Sequence, residues 1–261
     1  MPIAITREVS PEIGRCELTF IERTPIDLDR ARRQHDAYCD LLGELGCQVS
    51  RIPAEPGCPD SCFVEDAAVV VDEAAVLTMM GAPSRRPESR GVKEALGARR
   101  TRVFTMELPA TMDGGDVLVV DRRVFVGLTA RTNEAGVGVL ARCLAPFGYE
   151  VSGVELSGCL HLKSAVTVLG PDRVLLNPRW LDPARLGGLA TLPVPEEEPW
   201  GANVLRIGGN VLVHQGFGRT IRRLEAEGIR VVPLDVSEFL KAEAGLTCKS
   251  LILQEEAPPK G

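Results

Sequence analysis

Four side chains that can share one reaction stand far apart along this chain: Asp66, Asp113, His161 and Cys248. Cys248 ends the turn-like segment Gly245-Leu246-Thr247-Cys248, just before the apolar run at 251–253. Such a layout delivers a thiol to the mouth of a buried strand. Alone, the cysteine reads as a small buried hydrophobe. Beside an imidazole it becomes a nucleophile with a proton donor at hand. A thiol of ordinary pKa, ~8.5, needs activation by a neighbouring cation, either His161 or a positively charged substrate. Two carboxylates next to the thiol would repel a developing oxyanion, so ordinary amide hydrolysis is a poor fit. They suit a cationic electrophile, above all a planar guanidinium, which carboxylates bind through paired N–H···O bonds. His161 would then protonate the departing amine and afterwards deprotonate the attacking water.

The elements that bring these residues together form a repeat. Asp66 precedes an apolar run at 67–71, a turn and a second run at 74–79, then a helix near 88–98. Asp113-Gly114-Gly115-Asp116 precede runs at 117–120 and 124–126 and a helix over about 133–147. His161 precedes runs at 164–169 and 174–176 and a shorter helix after Asp182. Ala202-Asn203 precede runs at 204–207 and 211–214 and a helix over about 219–227. Each unit reads as a hairpin followed by a crossover helix, with Gly, Pro, Asp or Asn in the turns. The leading positions 66, 113, 161, 202 and 248 lie 47, 48, 41 and 46 residues apart, and a period in the forties marks a repeated supersecondary unit. The fifth unit has only the strand at 248–253. Its missing parts stand at the other terminus: a strand at 3–6, a helix over about 29–45 capped by Asp27 and ended by Gly46, and a strand at 48–52. The long segment 8–26 reads as a loop. Pairing of the two ends would close an α/β ring of five ββαβ units and place Asp66, Asp113, His161 and Cys248 around one central pocket.

Composition sets outer limits. The 261 residues are 44% hydrophobic and 25% charged, the proportions of an ordinary globular protein. They read as a single domain, 1–261, with 254–261 as a flexible tail. A net charge of −6 argues against nucleic acid as a partner and suits a cationic small molecule. No run is apolar and long enough to span a membrane, and the start lacks the pattern of a signal peptide, so the expected location is cytoplasmic. Eight scattered cysteines are then expected as reduced thiols. Cys58 and Cys62 have loose metal-site spacing without a second ligand pair, so neither a metal nor another cofactor is expected.

Several motifs together carry a resemblance. Phe63-Val64-Glu65-Asp66, Gly81-Ala82-Pro83-Ser84-Arg85-Arg86, Met112-Asp113-Gly114-Gly115-Asp116, the segment from Gly127 to Asn133, His161-Leu162-Lys163-Ser164 and Leu246-Thr247-Cys248 resemble dimethylarginine dimethylaminohydrolases of the guanidine-modifying superfamily. The resemblance runs from about Leu18 to Leu253. It departs at Met79-Met80 and over 17–27, the expected lid. It implies a five-bladed α/β propeller with pseudo-five-fold symmetry and hydrolysis of Nω-methylated arginine to citrulline and an alkylamine through a covalent thiouronium. It implies Cys248 as nucleophile, His161 as proton donor and Asp113 as carboxylate partner. It further implies that Glu65 and Asp66 line the guanidinium site, and that Leu18, Asp60, Arg85, Arg131 and Ala242 hold the amino-acid end. The competing expectations are an arginine deiminase, a hydrolase of another N-substituted arginine, an amidinotransferase, or a non-catalytic binding propeller. The assembly expected is a monomer or homodimer.

Overall fold

The computed structural model describes residues 1–254, and all but Gln254 of the expected tail lies outside the described residues. Fifteen short strands are β1 Ile3–Arg7, β2 Gln48–Ile52, β3 Ala68–Val70, β4 Ala75–Leu77, β5 Val103–Thr105, β6 Val117–Val120, β7 Arg123–Leu128, β8 Glu150–Glu155, β9 Val166–Gly170, β10 Arg173–Leu176, β11 Ala190–Pro193, β12 Leu205–Ile207, β13 Asn210–His214, β14 Arg230–Leu234 and β15 Leu251–Leu253. They form five three-stranded sheets, ordered β15-β1-β2, β3-β4-β5, β6-β7-β8, β9-β10-β11 and β12-β13-β14. In each, the first two strands are antiparallel and the last two parallel. A parallel pair needs a crossover connection. Four crossovers are helices: α1 Leu28–Glu44, α2 Ser89–Gly97, α3 Glu134–Leu144 and α5 Gly218–Ala226. The remaining one carries only the 3-10 turn Pro183–Leu186, so the expected short helix after Asp182 shrinks to one turn. Two further single-turn helices are α4 Leu162–Ala165 and α6 Ser237–Leu240.

Local chemistry explains the helix ends. Asp27 accepts the Arg30 N–H and Asn133 the Gly136 N–H, each satisfying an otherwise orphan donor at a helix N-terminus. Gly46 takes a φ of 91° just past α1, a left-handed position that glycine adopts without a Cβ clash.

Five apolar clusters join neighbouring sheets. Ile3, Ile5 and Leu253 pack with Ala75 and Leu77; Val69 and Val76 with Val117 and Val124; Leu118 and Phe125 with Val166 and Leu176; Leu169 and Leu175 with Val204 and Val213. The last cluster brings Ile207 and Leu212 against Ala4 and the Ala31, Tyr38 and Leu42 face of α1. Each fully buried aliphatic side chain contributes roughly 1.5–3 kcal/mol. A cavity of about 230 Å³ is lined by the first strand of every sheet, with Val69, Leu118, Val168, Leu205 and Ile252 among its walls.

One feature of the repeat was not expected. Every first strand is entered through a single helical turn: Val64–Ala67, Gly114–Asp116, Leu162–Ala165, Pro199–Ala202 and Thr247–Lys249. Cys248 is therefore inside a 3-10 turn rather than at the first residue of a strand at 248–253. For the same reason Ser164, placed in a strand by its apolar neighbours, belongs to the turn. All eight cysteines are free. Among the described residues no helix is long and apolar enough to cross a membrane.

Candidate active site

The entry turns present their side chains to one narrow cleft of about 10 Å³. Its walls include Asp66, His161 and Cys248 from three turns, together with Asp60, Arg85, Arg131 and Ala242. Asp113 lies directly behind His161 and has no exposed surface. Its Oδ2 meets His161 Nε2 at 3.0 Å, its Oδ1 accepts the Gly81 N–H at 2.9 Å, and its own N–H donates to Thr132 Oγ1. Two glycines permit this closeness. A Cβ on Gly115 would stand 2.7 Å from both His161 Nδ1 and Asp66 Oδ1, and one on Gly114 would meet the Glu65 carbonyl. The Gly114-Gly115 pair is required by contact, not only by a turn.

His161 is buried among acids. Burial alone would lower its pKa, but Asp66, Asp116 and Asp113 outweigh it and raise the imidazole to about 9. At neutral pH the ring is an imidazolium. Asp66 Oδ1 stands 3.9 Å from Nδ1. Burial would raise the Asp66 carboxyl, while charged His161, Arg85 and the Gly115 N–H hold it below its ordinary value. The cleft therefore holds fixed negative charge, as a cationic ligand requires.

Cys248 is partly exposed, and its Sγ accepts the Gly245 N–H at 3.4 Å. Burial, then the Glu65 and Asp66 carboxylates, push its thiol up to about 12. The resting residue is thus a neutral thiol, and a positive group brought close to it would favour the thiolate.

Of the residues expected at the amino-acid end, Asp60, Arg85, Arg131 and Ala242 line the cleft and Leu18 does not. Asp60 and Ala242 line the cleft; the Asp60 carboxylate, raised by burial, accepts the Glu17 N–H. Leu18 packs half-buried on the core beside Glu17, which itself reaches the cleft. The two arginines differ. Arg85 binds Asp66 at 2.7 Å and Glu88 through two nitrogens, so its donors are engaged by carboxylates of this chain. Arg131 lies 3.6 Å from Asp113, and among the described residues its buried Nη1 has no hydrogen-bond partner. Glu65 is not among the residues that line this cleft; its oxygens accept from Lys163 Nζ at 2.6 Å and Thr247 Oγ1 at 2.7 Å, beside the turn of Cys248.

Three positioning residues escaped the sequence reading. Asn203 stands in the sequence only beside Ala202, a leading position of the repeat. Its Oδ1 accepts the N–H groups of Leu246 and Thr247, and its amide donates to Lys163 O and Thr247 Oγ1. Asp116, the last residue of the Asp-Gly-Gly-Asp motif, accepts from Thr129, Thr132 and the Leu162 N–H, tying the Arg131 loop to the His161 turn. Burial raises its carboxyl to about 6 despite these bonds. Glu88 carries no motif at all. Asp66, Asp113 and His161, which share one phase of the repeat, place ligand-type atoms within 4.8 Å of one another. Their oxygens already accept from Arg85, Gly115, Gly81 and His161.

The fold and this acid-lined thiol–imidazole site define an enzyme that acts on guanidinium groups, and residues 56–193 match the family model described as Arginine deiminase. A dimethylarginine dimethylaminohydrolase of Streptomyces coelicolor is 40% identical over 97% of this chain and 97% of its own, and that of Pseudomonas aeruginosa is 30% identical over 86% and 89%. The solved Pseudomonas aeruginosa enzyme, a cysteine-to-serine mutant complexed with citrulline, superposes with a TM-score of 0.91 at 29% identity, covering 95% of this chain and 98% of that one. The N-terminal domain of a cyanobacterial arginine dihydrolase shares the fold, with a TM-score of 0.87 at 19% identity. The chain belongs to the dimethylarginine dimethylaminohydrolase family.

Proposed function

We propose that this chain hydrolyses Nω-methylated arginine, as asymmetric dimethylarginine or monomethylarginine, to citrulline and dimethylamine or methylamine. The observation that carries this reading is that Cys248, His161 and Asp66 line one narrow cleft, with the Asp113 carboxylate 3.0 Å from His161 Nε2 behind it. The relatives named above act, by their names, on dimethylarginine.

In this reading the substrate guanidinium is the cation that favours the Cys248 thiolate, and the thiol proton passes to solvent water because His161 is already protonated. The thiolate adds to the guanidinium carbon, giving a neutral tetrahedral species; Asp66 and Asp113 offset the guanidinium charge before attack and the charge on the departing nitrogen as it is protonated. The C–N bond to the alkylated nitrogen then breaks as His161 gives that nitrogen its proton. The amine leaves and a thiouronium remains on Cys248. His161, now neutral, takes a proton from water; the hydroxide adds to the same carbon, and collapse expels the thiolate, which takes up the remaining hydroxyl proton and leaves the ureido oxygen of citrulline. Arg131, whose Nη1 has no hydrogen-bond partner and only the 3.6 Å ion pair to Asp113, is assigned to the substrate α-carboxylate, and Leu18, Asp60 and Ala242 to the rest of the amino-acid end. Arg85 and Glu65 serve by holding Asp66 and Thr247.

The finer architecture proposed is one domain folded as a five-bladed α/β propeller with pseudo-five-fold symmetry. It is supported by the shared strand order of the five sheets and by apolar clusters linking each sheet to the next. A cytoplasmic setting fits chemistry that needs Cys248 reduced, and the partner proposed is a small molecule rather than nucleic acid or membrane.

The family-model match favours arginine deimination as the second reading. Citrulline release from arginine, monomethylarginine and asymmetric dimethylarginine separates the two: preference for the methylated forms supports the proposal, and turnover of arginine alone overturns it. Cys248→Ser should lose ~10³-fold or more in turnover, and wild-type enzyme quenched in turnover should carry the amidino adduct on the Cys248 peptide by mass spectrometry. Normal turnover in Cys248→Ser would remove the nucleophile assignment.

A further inference from the structure

The residue beside the nucleophile, Lys249, has no exposed surface. Its Nζ donates to the Gly245 carbonyl at 2.6 Å and stands 4.7 Å from the Tyr38 ring centre and 4.9 Å from that of Phe239. Its immediate partners are thus a carbonyl and two ring faces, not a carboxylate. Tyr38 in turn donates to Leu246 O and meets Ser250 Oγ, so α1 grips both sides of the same turn. Taking an ammonium out of water without a bonded carboxylate costs several kcal/mol. Methionine would fill a comparable space between the rings without that cost. A charge kept there must offset something that only a charge can.

The groups facing it identify what that is. Cys248, Cys62, Cys39 and Glu65 raise its pKa, with Cys248 the strongest of the four. Glu65 is already bound by Lys163 and Thr247. Cys62 has no exposed surface, and burial pushes its thiol well above the ordinary range. His35 and His214 lie close enough for Lys249 to disfavour their protonation, and both are lowered chiefly by burial. Cys248 alone lines the cleft and becomes an anion during the reaction.

We propose that Lys249 is a positioning residue for Cys248, clamping the Gly245–Cys248 turn through the Gly245 carbonyl and supplying the buried positive charge that stabilises the thiolate. The Gly245 N–H points at Sγ while its carbonyl accepts from Nζ, so one residue links the two. Burial lowers Lys249 to about 8, so the clamp weakens above that pH. This inference rests on the assignment of Cys248 as nucleophile, but it is tested without turnover of methylated arginine.

The test is alkylation of Cys248 by iodoacetamide from pH 6 to 10, followed by peptide mass spectrometry on wild type, Lys249→Met and Lys249→Arg. Lys249→Met should slow modification of Cys248 about tenfold at pH 8, equivalent to one unit of thiol pKa, and move the profile to higher pH. Lys249→Arg keeps the charge and should lie nearer wild type. A folded Lys249→Met with an unchanged profile overturns the proposal. If Lys249→Met does not fold, Lys249→Arg decides: a profile close to wild type supports the charge, and a tenfold loss in folded Lys249→Arg overturns it. Should citrulline formation fail in wild type while these profiles shift as stated, the functional reading falls and the role of Lys249 stands.

Discussion

Asn203 Oδ1 accepts the Leu246 N–H at 2.7 Å and holds the turn of Cys248 from the neighbouring sheet. The entry turn of one unit thus supports the catalytic turn of the next. Asn203→Ala would leave the N–H groups of Leu246 and Thr247 without this acceptor, at a cost of ~1–3 kcal/mol for each group that stays buried. Turnover should fall about tenfold or more, with a lower urea midpoint. Asn203→Asp keeps the acceptor but replaces the amide donor by a carboxylate oxygen facing Lys163 O, so it should fall between wild type and Asn203→Ala. An unchanged kcat in Asn203→Ala would show that the brace is unnecessary.

Asp113 and Arg131 are 3.6 Å apart yet should separate kinetically. Asp113→Asn preserves size but removes the anion that partners His161 and the guanidinium. A loss of ~10²-fold in kcat with a smaller change in KM is expected. Arg131→Ala should chiefly raise KM through lost binding of the α-carboxylate. The reverse pattern, Asp113→Asn altering only KM and Arg131→Ala only kcat, would mean that the cleft is divided differently.

Arg85 is enclosed by Asp66 and Glu88. Arg85→Met would strand two buried carboxylates, and breaking a buried pair from one side costs ~3–5 kcal/mol. Burial already lifts Glu88 to about 7 with Arg85 present, so in the variant it should take up a proton near neutrality. Denaturant unfolding reads this directly. Stability within ~1 kcal/mol of wild type would show that Arg85 is free for another partner, such as substrate.

The charge on His161 predicts a pH dependence of stability. Its folded pKa, about 9, lies above the ordinary 6.5. Folding therefore favours the bound proton; the stabilisation is complete below pH ~6.5 and is lost as pH rises through ~9. His161→Gln should melt further below wild type at pH 6 than at pH 10. A gap that widens towards pH 10 would contradict a protonated resting His161.

Much of the site was legible because the chemistry-bearing residues share one phase of a repeat. Asp66, Asp113, His161 and Cys248 stand at equivalent entry turns, and sequence period alone brings them close. The strands at 48–52 and 117–120 also fall at their expected bounds, because turn residues delimit each apolar run. What the linear pattern lacks is side-chain direction within a single turn. Glu65 and Asp66 are adjacent, yet one faces Lys163 and Thr247 and the other His161 and Arg85. Arg85 looked available because Glu88, three residues on, carries no motif. Asn203 looked inert because its partners lie on the turn of another sheet.

The pairing of Ile3 with Leu253 sets a schedule for the newborn protein. A ribosome adding ~5–20 residues per second needs ~10–50 s between those two residues, and through that interval β1 lacks its antiparallel neighbour. The acids and the imidazole emerge early, while the thiol and the strand beside β1 are made almost together. Part of the cleft wall, Ala242 to Ala244, belongs to the same late stretch. Reactivity arrives with the segment that completes the sheet, so a chain stalled before Cys248 lacks its nucleophile and the strand beside β1 together.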